Sequence, residues 1–126
     1  MPVASFDHVA LPTAKPEEMI AFYGALGFRV PDLEKWRAAG IPFFSIHFGS
    51  QKINVHAPGV WQRPDFTLRG PTAQPGCGDL CFVWEGGADA LRATLGAARA
   101  GRRSLPSSTR APSTAGAINH GRLKTR

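Results

Sequence analysis

The strongest constraint on this chain is an approximate internal echo. Phe6-Asp7-His8-Val9-Ala10-Leu11 lies near the start, and Cys77-Gly78-Asp79-Leu80-Cys81-Phe82 follows about seventy residues later. Each is a short strand-like run with one polar side chain near its beginning. Each leads into a helical stretch, Pro16 to Leu26 after the first and Ala88 to Ala98 after the second. Strand, helix, strands and then the same opening again points to two copies of one βαβββ module. Two such modules can face each other across a cleft. A polar residue at the same place in each opening strand would then enter that cleft from two sides, which suits a metal site.

The periodicity supports this reading. In the first run His8 and Ala10 share one face and Val9 and Leu11 the other, because side chains alternate along a strand. Pro16 suits a first helical turn, and Glu17 and Glu18 favour a helix N-terminus. Met19, Ile20, Tyr23 and Leu26 form an apolar stripe, and Gly27 is a natural stop. The segment from Phe28 to Trp36 reads as a ragged strand interrupted by Pro31. Pro42 to Phe48 reads as a better strand, with Phe44, Ile46 and Phe48 on one face. Gly49-Ser50 turns the chain into a strand from Gln51 to His56, where Ile53 and Val55 oppose Asn54 and His56. From Pro58 to Pro75 the chain is rich in Pro, Gly and Arg and reads as a long connection anchored by Trp61 and Phe66. Asp79 to Trp84 opens the second module.

The expected architecture is therefore α+β: paired βαβββ modules forming an open barrel-like sheet, the second incomplete. Residues 1–58 make the first module, 59–75 the connecting loop, 76–98 the start of the second module, and 99–126 a basic tail. The net charge of +6 belongs to that tail. Residues 1–98 hold eight Lys/Arg and nine Asp/Glu, whereas residues 99–126 hold seven Lys/Arg and no acid. The tail has no aromatic side chain on which a base could stack, so specific nucleic-acid binding is not expected. Its Ser, Thr, Pro, Gly and Arg content suits an irregular segment, with one weak strand candidate at Ala117-Ile118.

Other classes are excluded more simply. No apolar run is long enough to span a bilayer, so no membrane association is expected. Met1-Pro2-Val3 does not open a secretory signal, so the expected location is the cytoplasm. Cys77 and Cys81, if on one strand, would lie about 13 Å apart, beyond the reach of a disulfide, and are read as reduced thiols. No nucleophile triad or phosphate-binding glycine loop is legible.

The residues do resemble a known family. Phe6-Asp7-His8-Val9-Ala10-Leu11, the helix ending Phe22-Tyr23-Gly24-Ala25-Leu26-Gly27-Phe28, and Phe48-Gly49-Ser50-Gln51-Lys52-Ile53-Asn54-Val55-His56 look like the glyoxalase/bleomycin resistance/dioxygenase family, the vicinal oxygen chelate superfamily. Gly76-Cys77-Gly78-Asp79-Leu80-Cys81-Phe82 fits its second module. The resemblance covers residues 4–98. It implies paired modules around a divalent metal that chelates a substrate through neighbouring oxygens and acts as Lewis acid. It also implies lyase, isomerase or dioxygenase chemistry.

Carried over residue by residue, the resemblance puts His8 at the first ligand position. His56 stands where the first module often presents a cleft-facing polar group, and Asp79 stands where the second module usually has a histidine. The expected metal ligands are thus His8, His56 and Asp79, holding Fe, Mn, Ni or Zn. Asn54, on the face of His56, is expected to contact substrate, as are Trp61 and Trp84 by lining an aromatic pocket. The family's last glutamate ligand and the turn before it have no counterpart here, although Gly116-Ala117-Ile118-Asn119 resembles the segment that leads to them. His47 is read as a sheet histidine, Tyr23 as core, and His120 as a tail residue. A homodimer is expected, since one module leaves a concave face without its pair. The alternative functions are metal-free sequestration of a small molecule, as in bleomycin-resistance members, and an inactive, truncated member of the family.

Overall fold

The computed structural model describes residues 2–103 and 122–125. The strand expected at Ala117-Ile118, the segment Gly116 to Asn119 and the tail residue His120 lie outside them. Strand β1 (His8–Pro12) leads to helix α1 (Pro16–Ala25), then helix α2 (Leu33–Ala39). Strands β2 (Phe43–Phe48) and β3 (Gln51–His56) follow, then the short helix α3 (Pro58–Trp61). Strand β4 (Cys81–Trp84), helix α4 (Ala88–Arg103) and strand β5 (Arg122–Thr125) complete the order.

The first sheet has three strands in the order β1-β3-β2. β1 runs parallel to β3, and β2 antiparallel to it. Phe48 pairs with Gln51, so Gly49-Ser50 is a two-residue turn. Gly49 has φ 54, which a tight hairpin needs and which glycine adopts without strain.

The segment 28–36 is not a strand. It contributes one antiparallel bridge, Arg29 to His47, and then turns helical. Asp32 is the N-cap of α2, accepting from the Lys35 backbone N–H at 2.9 Å, and Gly40 closes the helix in the left-handed region. Arg37 of α2 binds both carboxylate oxygens of Glu17 on α1 at 2.7 Å. The expected βαβββ module is therefore present, with its second strand reduced to a bridge and a short helix inserted before β2.

One face of the sheet is the core face. Phe44, Ile46, Ile53 and Val55 are buried there with Ile20, Phe22 and Tyr23 of α1. The start of the second module packs on this same core. Leu80, Phe82 and Leu95 join it, Ala98 of α4 is buried within it, and α4 lies against α1. The Phe82 ring meets those of Tyr23, Phe28 and Phe48 edge to face, with centroids 6.4, 5.0 and 5.2 Å away. Tyr23 is therefore core, and its burial pushes the phenol above its ordinary value.

Several boundaries differ from the sequence reading. Strand β1 runs over His8–Pro12 rather than Phe6 to Leu11, α1 ends at Ala25 rather than Leu26, and β2 begins at Phe43 rather than Pro42. Helix α4 continues to Arg103 rather than stopping at Ala98, and β4 begins at Cys81 rather than Asp79. β5, at the far end of the basic tail, pairs in parallel with β4, from Cys81 with Arg122 to Trp84 with Thr125. The fold is α+β, with one nearly complete module and part of a second. No helix among the described residues is long and apolar enough to cross a membrane.

Candidate functional site

Directly paired residues project on the same side of a sheet. The register therefore defines what stands on the face opposite the core. Three transverse rows cross it. The first holds His8, Lys52 and His47, the second Ala10, Asn54 and Ser45, and the third Pro12, His56 and Phe43. The bridge extends the first row to Arg29. The neighbours Phe28 and Val30 pack on the core, so alternation places Arg29 on this opposite face as well. The face is polar because the sequence alternates, and the alternation is forced by the buried Ile46, Ile53 and Val55 on the other side.

His8 is the best-prepared functional group here. Its Nδ1 lies 2.5 Å from Oδ2 of Asp7, and its side chain is 44% exposed. Lys52 Nζ reaches the same carboxylate oxygen at 3.8 Å, and the Lys52 backbone N–H donates to the Asp7 carbonyl at 3.1 Å. The hydrogen bond from His8, followed by the charge of Lys52, holds the Asp7 carboxyl below its ordinary value. An imidazole that gives its Nδ1 proton to a carboxylate keeps Nε2 as a lone-pair donor. Such a nitrogen can ligate a metal or accept a proton.

Asn54 stands one row along. Its side-chain oxygen accepts from the Ser45 hydroxyl at 2.8 Å, which orients the amide on the open face. His56 stands a further row away. Its ring meets Phe66 edge to face at 4.9 Å, its Nδ1 is buried without a hydrogen-bond partner, and burial pushes its imidazole below the ordinary value. Phe66 does anchor the long connection, as its position in the loop predicted. The Thr13 backbone N–H donates to the His56 carbonyl at 2.9 Å.

The structure brings these residues to one face without clustering them. His8 pairs with Lys52 and His56 with Pro12. The two histidines are therefore four positions apart along the strands, about 13 Å at a rise of about 3.3 Å per residue. Asp79 is exposed in the segment before β4. Among the described residues no three His, Cys, Asp or Glu side chains are grouped as metal ligands. The donor chemistry of His8 fits one ligand of a divalent ion, but His8, His56 and Asp79 do not make a three-ligand centre within this arrangement.

The two tryptophans have different surroundings. The Trp61 indole N–H donates to the Thr13 carbonyl at 2.9 Å and ties α3 to the end of β1. The Trp84 indole nitrogen is buried without a partner, close beside Gly86. Cys77 and Cys81 are both exposed free thiols. The residues that sequence reasoning passed over are Asp7, Lys52, Arg29 and the role of His47. The signal for Lys52 was its parity with Asn54 and His56, and the signal for Asp7 was its adjacency to His8.

No protein-family model matches the chain. It is 37% identical over 81 residues to the glyoxalase domain-containing protein RDO1 of Mycosarcoma maydis. The alignment takes in 64% of this chain and 40% of that protein, so the chain spans less than half of the relative's length. Among solved structures it resembles virulence protein STM3117 of Salmonella typhimurium, with 25% identity and a TM-score of 0.59 over 79% of this chain and 71% of that one. It also resembles integron cassette protein VCH_CASS1 from the mobile metagenome of V. cholerae, with 24% identity and a TM-score of 0.58 over 77% and 69%. The second likeness is one of fold.

Proposed function

We propose, from the relationship to the glyoxalase superfamily that residues of this chain share with RDO1, that the polar sheet face binds a small, oxygen-rich molecule. The observation that carries this reading is the His8 imidazole. It is oriented by Asp7 with Nε2 free, and it stands in the same face as the Ser45-oriented amide of Asn54. A ligand with neighbouring oxygens would take hydrogen bonds from Lys52 and Asn54 while His8 accepts a proton from it or shares a metal with it.

A divalent ion, Fe, Mn, Ni or Zn, would use His8 Nε2 and would supply Lewis-acid chemistry to a chelating substrate. Its further ligands would come from a second copy in a homodimer, because His56 stands four positions along the strands from His8 and no three such side chains are grouped among the described residues. Metal-free sequestration is the second reading, favoured by the same separation of His8 from His56.

Thermal unfolding with each of Mn, Fe, Ni and Zn, on the wild type and His8→Ala, separates the two readings. An ion bound only by the folded state raises the melting temperature. A rise that disappears in His8→Ala supports the metal reading. If all four ions leave the wild type unchanged, while catechol shifts the NMR signals of Ser45 and Asn54, sequestration is the function. If catechol also leaves them unmoved, the face does not bind such molecules and the proposal fails.

A further inference from the structure

We infer that the first transverse row, His8-Lys52-His47-Arg29, is an oxyanion-binding strip that selects ligands carrying a carboxylate or phosphate group. The inference rests on the reading of this face as the ligand face and adds the substrate class. Register alone brings the four together. His8 pairs with Lys52 in parallel, Lys52 with His47 in the hairpin, and His47 with Arg29 through the isolated bridge. Neighbouring strands lie about 4.8 Å apart, so the four Cα atoms span about 14 Å across the sheet.

Two permanent cations, Lys52 and Arg29, share this row with two imidazoles, and like charges on one sheet face repel. Asp7 relieves one end, where it contacts both His8 and Lys52. At the other end, Arg29 makes no ion pair and His47 no side-chain hydrogen bond among the described residues. The backbone there is fixed, with Arg29 N–H to the His47 carbonyl at 3.1 Å and His47 N–H to the Arg29 carbonyl at 2.9 Å. Arg29 is exposed and His47 half-buried, so their donors are accessible on a hydrogen-bonded backbone. A guanidinium is suited to the two-oxygen geometry of a carboxylate or phosphate, and Lys52 adds a point charge two strands away. The rest of the face carries no competing positive charge, because its other rows are Ala10, Asn54 and Ser45, and Pro12, His56 and Phe43.

The test is a titration of the whole chain with inorganic phosphate and, separately, acetate, with catechol as the uncharged control, read by chemical shifts along the row. Lys52→Gln and Arg29→Gln each remove one charge, and both positions are solvent-accessible. The expected result is that phosphate, acetate or both shift the row, and that each substitution weakens that binding about fivefold to tenfold. The anion that binds names the source of the charge. Anion binding unchanged in both variants overturns the inference. Catechol binding without either anion also overturns it, while leaving the face as the ligand site. Loss of all three ligands from the wild type ends both readings together.

Discussion

Replacing Phe82 with alanine tests whether the opening of the second module is part of the same cooperative body as the first. Phe82 lies on β4, yet its ring closes a cluster with Tyr23 of α1, Phe28 before α2 and Phe48 of β2. Truncating a fully buried phenylalanine costs about 3–5 kcal/mol. Phe82 is only partly buried, which lowers that figure, but its three edge-to-face contacts restore part of it at about 0.5–1.5 kcal/mol each. The expected loss is about 2–4 kcal/mol. For a domain of this size that corresponds to a fall in melting temperature on the order of 8–15 °C. Urea unfolding followed by circular dichroism measures the free energy. Val83→Ala is the control, since Val83 is 57% exposed on the opposite face of the same strand and should change stability by less than about 0.5 kcal/mol. A loss below about 1 kcal/mol for Phe82→Ala would mean that β4 rests loosely on the first module, and the reasoning would be refuted.

The remaining predictions concern single polar contacts. Glu17→Gln should lower stability at neutral pH, because Arg37 holds the Glu17 carboxyl below its ordinary value of 4.5. A depressed folded value makes the contribution complete above that ordinary value and removes it as pH falls through the folded one. Stability curves for the two proteins should therefore converge in acid, and a gap that persists there would show another cause. Trp61→Phe removes the indole donor to the Thr13 carbonyl and should cost about 1 kcal/mol in urea unfolding. An unchanged midpoint would mean that this carbonyl is as well satisfied by water.

Much of the first module was legible because one-sided burial imprints a period of two on strands. Phe44, Ile46, Ile53 and Val55 are core, as their alternation indicated, and β3 runs over Gln51–His56 as read. Helix α1 was legible from Pro16, the two glutamates and the apolar stripe. Helix α2 was missed because Phe28 and Val30 alternate like a strand and Pro31 hides the cap that follows. Asp32 and Gly40 bracket that helix and were its signal. β5 was missed for another reason. Arg122-Leu123-Lys124-Thr125 has little apolar content, and a parallel partner distant in sequence leaves no local mark.

The candidate site divides along the same line. Parity placed His8, Asn54 and His56 on one face correctly. It could not place them along that face, because the offset between two parallel strands is set by the crossover between them. The register puts Lys52, not His56, beside His8, and so the His8 environment is built from Asp7 and Lys52. The place of Trp61 in the long loop suggests a substrate contact, and its hydrogen bond to the Thr13 carbonyl also gives it a structural task.

The parallel pairing of β1 with β3 also orders events in time. The β2–β3 hairpin joins residues across a two-residue turn and can form on a microsecond scale. β1 can add to it only after the whole stretch holding α1 and α2 has been drawn into a closed loop, with the chain entropy of that loop already lost. Loop closure therefore predicts that His8 reaches Lys52 after the hairpin has formed. The row of basic groups across the sheet is assembled in two stages: His47 and Lys52 arrive with the hairpin, and His8, with its aspartate, arrives when the first residues of the chain find their place.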